Sequence, residues 1–168
     1  ERAEAQFHAM GLETDIVQPW EERTAGPFRI IGAPSVDGFG DPQRCGIVES
    51  GGTRILHAGD TLFHGYWWAI ARAVGSIDVA FLPINGPVVE LPHVQPPSPF
   101  EAAMLPEQAA VAAQILRART AVPIHYGLLH KPPEYMETPR AEERFLERAK
   151  ELGLVPRIVN RGEWFSPE

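Results

Sequence analysis

Three short apolar runs in this chain break off in the same manner. Arg54-Ile55-Leu56-His57 gives way to Ala58-Gly59-Asp60-Thr61, Asp78-Val79-Ala80-Phe81-Leu82-Pro83-Ile84 to Asn85-Gly86-Pro87, and Ala121-Val122-Pro123-Ile124 to His125-Tyr126-Gly127. Strand-favouring residues halted by small and polar ones read as strands whose ends present side chains rather than continue. The middle run is almost wholly apolar, the pattern of a strand covered on both faces by helices. Helical patterns separate the runs. Residues 64–74 set Tyr66, Trp67, Trp68, Ile70, Ala71 and Val74 on one broad face, which reads as core packing, and residues 106–117 form an Ala-rich helix with Pro106 in its first turn. Strand and helix alternating after a hairpin predict an α/β domain with a mixed sheet, one domain over residues 1–168. Its strands ending at Asp60, Ile84 and His125 should share one sheet, with their C-terminal ends on one rim.

The remaining segments fill in around that frame. Residues 2–10 read as a helix stopped by Gly11, residues 15–17 as a short extended segment, and residues 20–26 as a polar turn. An apolar strand over 28–33 runs into a loop, 34–42, that carries two Asp and two Gly. Strands over 45–49 and 54–57 flank Glu49-Ser50-Gly51-Gly52, whose glycine pair suits a tight hairpin. The Pro-rich segments 87–99 and 130–138 should be irregular rims. A charged amphipathic helix over 140–152, closed by Gly153, and a last strand over 155–160 complete the chain.

Composition narrows the partners. A net charge of −7 and a pI near 5.4 repel phosphate backbones and anionic lipid surfaces, and no Lys/Arg cluster offsets them, so neither nucleic acid nor membrane is expected. The single cysteine, Cys45, sits in a strand pattern with no His near it and reads as a small core residue. With no signal-peptide pattern and no membrane-length apolar run, a cytoplasmic protein is expected, with room for a homo-oligomer. Glu1 opens directly in a helical pattern, so a piece of a longer polypeptide is expected.

Asp60 and His125, delivered to one rim by two strands, would make a metal or acid/base site. Taken singly, an Asp before Thr also reads as a turn or cap residue, and a His after a strand as a partly buried core residue. His57, His64, Asn85 and Tyr126 are candidates to line the pocket and touch substrate. No nucleophile accompanies the pair, which disfavours metal-free acid/base hydrolysis.

Gly59-Asp60-Thr61 after a strand, Leu82-Pro83-Ile84-Asn85-Gly86, Pro106-Glu107-Gln108-Ala109 and Pro123-Ile124-His125-Tyr126-Gly127 occur here in that order. In order and spacing they resemble the later part of the metallo-β-lactamase-fold hydrolases, in the lactonase-like branch similar to L-ascorbate-6-phosphate lactonase, from about residue 28 to the end of the chain. The resemblance implies a four-layered αββα sandwich with its N-terminal part missing, and one or two divalent ions, zinc or manganese, at the sheet ends. It implies that Asp60 bridges two metals and that His125 binds the second.

Two departures qualify it. The family's His-x-His-x-Asp-His signature is absent, and Asp37 occupies the place where a further metal-binding His is usual; a carboxylate there is an acceptable ligand, and a turn residue before Gly38 is the alternative. The expected function is thus a metal-dependent hydrolase of a small lactone, ester or phosphate-bearing molecule, with Asp37, Asp60 and His125 as metal ligands and Asp60 and His125 as catalytic groups. It would be incomplete and inactive until joined by its N-terminal half or a companion chain. The alternative is a non-catalytic module of the same fold that binds a small ligand or partner chain.

Overall fold

The computed structural model describes residues 2–37, 43–92 and 95–166. Parts of the loop expected over 34–42, and His93 and Val94 of the segment 87–99, lie outside the described residues. After helix α1 (Arg2–Ala9), strands β1 (Glu22–Ala25), β2 (Phe28–Ser35), β3 (Gln43–Ser50) and β4 (Thr53–His57) follow one another as an antiparallel meander. Helix α2 (Tyr66–Val74) crosses to β5 (Val79–Pro83), and helix α3 (Pro106–Ile115) crosses to β7 (Thr120–Ile124); both strands join the sheet parallel to β4. The six-stranded sheet has the order β1-β2-β3-β4-β5-β7, and a ribbon of β6 (Val88–Val89) and β8 (Tyr135–Met136) stands apart from it. Helix α4 (Ala141–Glu151) follows the ribbon.

Local chemistry accounts for the elements. Gly51 and Gly52, at φ 58° and 81°, supply the two positive dihedrals that a two-residue turn between Ser50 and Thr53 requires. In β3, Cys45 and Ile47 are buried while Arg44, Gly46 and Val48 face outward, the period of two that fixes which face meets the helices. Trp67 and Ile70 of α2 and Phe145 of α4 are fully buried against that side, together with Leu56 and Leu82 of the sheet. Four alanines of α3, Ala109, Ala110, Ala112 and Ala113, are likewise fully buried, so small side chains let this helix lie close to its neighbours. Its start is fixed by Pro106 and by the Leu105 N–H, which donates to Gln108 Oε1 at 2.9 Å. Arg144 joins α4 to α3 by donating to both carboxylate oxygens of Glu107, at 2.7 and 2.8 Å. Burial pushes the Cys45 thiol up to about 12, so it is the inert core residue expected.

Three segments differ from expectation. The polar turn over 20–26 contains edge strand β1, which has no apolar alternation because all four of its residues are exposed, and which Glu22 helps hold by accepting from Arg29 Nε at 3.0 Å. The irregular segments 87–99 and 130–138 contribute β6 and β8, which pair as Val88↔Met136 and Val89↔Tyr135. The last strand over 155–160 is reduced to one parallel bridge, Ala121↔Pro156, because Pro156 has no N–H with which to extend a ladder. Among the described residues no helix is long and apolar enough to cross a membrane.

Candidate active site

Parallel pairing places the ends of β4, β5 and β7 side by side, in register from Ile55↔Val79 to Pro83↔Ile124. Asp60 stands three residues beyond β4 and His125 one beyond β7, and their side chains meet across the rim, His125 Nδ1 lying 3.6 Å from Asp60 Oδ1. Both remain accessible, at 39% and 57% of full side-chain exposure, so a small molecule or ion can reach them. His125 has φ 61°, a left-handed conformation costing on the order of 1 kcal/mol in a residue with a Cβ. Such strain is held where surrounding structure dictates it, here between Ile124 in the sheet and Gly127 at φ 69°.

A second imidazole adjoins the pair. The His57 ring lies 6.4 Å from that of His125 and stacks on Phe81 at 5.8 Å. Its Nδ1 accepts from the Gly59 N–H at 3.2 Å. Burial first, and then the facing His125, push the His57 imidazole below its ordinary value, favouring its neutral form.

The other residues named from sequence are distributed unevenly. Asp37 follows Val36, whose N–H donates to Thr61 Oγ1 and whose carbonyl accepts from the Thr61 hydroxyl, both at 3.1 Å, so the end of β2 is tied to the residue after Asp60. Among the described residues, no three His, Cys, Asp or Glu side chains converge into a group that could hold a metal ion. Asp60 and His125 are thus the pair brought together. Asn85, 3% exposed, follows β5, the strand that lies between β4 and β7 in the sheet. The Tyr126 hydroxyl donates to Glu142 at 2.9 Å; burial and then that carboxylate push its phenol up to about 12. His64 lies in the interior, stacked on Trp67 at 4.2 Å, with neither ring nitrogen hydrogen-bonded. One polar group was missed. Tyr135, in a Pro-rich stretch with no local strand or site signal, reaches the rim and takes a 2.8 Å hydrogen bond from Asn85 Nδ2.

The donors suit a divalent ion in kind. Carboxylate oxygen and imidazole nitrogen both bind zinc and manganese, but one carboxylate and one imidazole are fewer than the three protein ligands usual at a catalytic zinc.

Comparison with known proteins agrees with this architecture. Residues 2–126 match the family described as the β-lactamase superfamily domain. A metal-dependent hydrolase of Thermococcus kodakarensis is 35% identical over 126 residues, which make up 71% of this chain and 49% of that protein. Another, of Rubrobacter xylanophilus, is 36% identical over 115 residues, 68% of this chain and 39% of that one. The chain therefore spans about half the length, or less, of these curated relatives. Among solved structures, a metallo hydrolase of Ignicoccus hospitalis superposes with a TM-score of 0.73 at 22% identity, covering 97% of this chain and 64% of that one. A metallo-β-lactamase-fold protein of Bacillus subtilis gives a TM-score of 0.63 at 16% identity, covering 94% of this chain and 58% of that one. By its mixed α/β fold and by the family match over most of its length, the chain belongs to the metallo-β-lactamase superfamily.

Proposed function

We propose that this chain contributes part of the centre of a metal-dependent hydrolase acting on a small lactone, ester or phosphate-bearing molecule. The observation that carries the reading is the meeting of Asp60 and His125, 3.6 Å apart, at the adjoining ends of parallel strands. Similarity to proteins named metal-dependent hydrolases supports it. A bound divalent ion supplies charge that brings the pKa of a coordinated water towards neutrality and polarises the bond under attack. Asp60 and His125 would hold that ion; Asp37, expected from sequence as a third ligand, does not converge with them among the described residues. His57 on the flank, pushed towards its neutral form, adds no fixed positive charge of its own beside the pair. Phe81 beneath His57 presents an apolar wall that limits water on that side.

The remaining ligands, in this reading, come from a segment with the family's histidine-rich signature, carried on a longer form of the polypeptide or on a companion chain. Relatives of which this chain matches only about half the length support that view. Outward-facing Phe28 and Val48, 47% and 37% exposed, are apolar positions that a second sheet would cover.

The test is hydrolysis of a panel of lactones, carboxylic esters and phosphoesters with zinc or manganese, by the 168-residue chain, by an extended form, and by Asp60→Asn in each. The expected outcome is metal-dependent turnover by the extended form, at least about a hundredfold above the 168-residue chain and lost in Asp60→Asn. Full turnover by Asp60→Asn removes the site. A binding module of the same fold would bind small ligands with no turnover in either form.

A further inference from the structure

Tyr135 is held at the rim by a scaffold that gives its hydroxyl a direction. The ribbon of β6 and β8 is anchored to the residues after β5 through Thr138, whose N–H donates to the Asn85 carbonyl at 2.8 Å and whose hydroxyl donates to the Gly86 carbonyl at 2.9 Å. Asn85 Nδ2 then donates to the Tyr135 oxygen at 2.8 Å. The Asn85 side chain is buried; its Nδ2 engages the phenol, and its Oδ1 has no hydrogen-bond partner. A phenol has one hydrogen to donate, and with its oxygen already accepting from Asn85 that hydrogen must find an acceptor elsewhere. Because β5 is the middle strand of the three parallel ones, Asn85, two residues beyond it, emerges on the same rim as the strand ends that lead to Asp60 and His125, and it brings the phenol to that rim.

We propose that Tyr135 is a catalytic residue of this rim, its hydroxyl donating a hydrogen bond to the carbonyl or phosphoryl oxygen of the substrate as negative charge builds there. The proposal rests on the hydrolase reading of the Asp60 and His125 pair. No proton is transferred; the hydroxyl stays a phenol throughout and stabilises charge by hydrogen bonding, with Asn85 as the positioning residue behind it. Burial pushes the Tyr135 phenol above its ordinary value, outweighing the opposing effect of the Asn85 hydrogen bond, which keeps it in the donating form. A single donor of this type aimed at a developing oxyanion is worth about a hundredfold in kcat where water is excluded. Tyr135 is half-buried, so the expected effect is about tenfold to a hundredfold. A phenol that only pins the ribbon would affect unfolding and nothing else.

The experiment compares wild type, Tyr135→Phe and Asp60→Asn in three readouts. The first is lactone hydrolysis by the zinc-loaded extended form. The second is NMR titration of the 168-residue chain with 4-hydroxybutyrate, the opened form of γ-butyrolactone, whose carboxylate presents a charged oxygen. The third is thermal unfolding. The expected result for Tyr135→Phe is a kcat lowered by tenfold or more with KM little changed, and probe binding weakened by about tenfold, beside a Tm lowered by the loss of the Asn85 partner. Equal probe binding by wild type and Tyr135→Phe overturns the proposal, as does a wild type that does not bind millimolar probe. Loss of turnover in Asp60→Asn beside full turnover and full probe binding in Tyr135→Phe leaves the hydrolase reading standing and removes Tyr135 from it. Full turnover in Asp60→Asn removes the hydrolase reading, and the probe titration then judges the Tyr135 hydrogen bond separately.

Discussion

At the scale of single residues, the sharpest physical statement concerns His64. Burial lowers its imidazole from the ordinary 6.5 to about 4, and neither ring nitrogen finds a partner. Above pH 6.5 the ring is neutral in folded and unfolded chains alike and has no linkage effect. As pH falls from 6.5 towards 4, the unfolded chain takes up the proton first, so stability should drop progressively, by up to about 3 kcal/mol. Urea unfolding at pH 7.5 and pH 5 measures this, and His64→Phe should flatten the difference; an equal drop in both proteins would assign the pH dependence to other groups. His64 also shows where sequence reading fell short. A His between a strand end and a helix looks like a pocket residue until the neighbouring Trp67 is seen to cover it, and that stacking is a tertiary fact. Asp60 and His125 were legible because each stands within three residues of the end of an apolar strand. Tyr135 was not, because its value depends on Asn85, fifty positions away in the chain.

Among elements, the parallel trio β4, β5 and β7 was readable from its apolar runs and the helices between them, and in β5 and β7 burial on both faces leaves a strong compositional mark. Edge strand β1 and the ribbon left no such mark: exposed or two-residue strands are defined by backbone pairing, which side chains record weakly. The junction of β5 with the ribbon is correspondingly tight. A Cβ added at Gly86, at φ 39°, would lie 2.7 Å from Thr138 Oγ1 and 2.8 Å from Leu105 Cδ2. Gly86→Ala should therefore cost about 2 kcal/mol or more, combining backbone strain with overpacking. Because the clash falls on Thr138, which anchors the ribbon, the same variant should displace Tyr135 from Asn85. Chemical denaturation and the NMR shifts of ribbon residues measure both effects, and a variant as stable as wild type with unshifted ribbon signals contradicts the account of this junction.

On the scale of the whole molecule, a sheet with helices packed on its buried side carries a rim where two metal-capable side chains meet, in a chain that spans about half the length of the curated relative it matches. Family membership was legible from four weak motifs, three that end strands and one that opens α3, whose order and spacing reflect the order of those elements. Substrate and metal were not, since they depend on donors and pocket walls beyond Asp60 and His125. The central claim is that this rim binds a divalent ion through Asp60 and His125. Calorimetric titration of zinc and of manganese into the 168-residue chain and into Asp60→Asn, at neutral pH, tests it most directly. The account predicts weak binding, with open coordination positions left to water, at least about tenfold weaker in Asp60→Asn. Equal binding by the two proteins, or no binding by the unaltered chain, would contradict it.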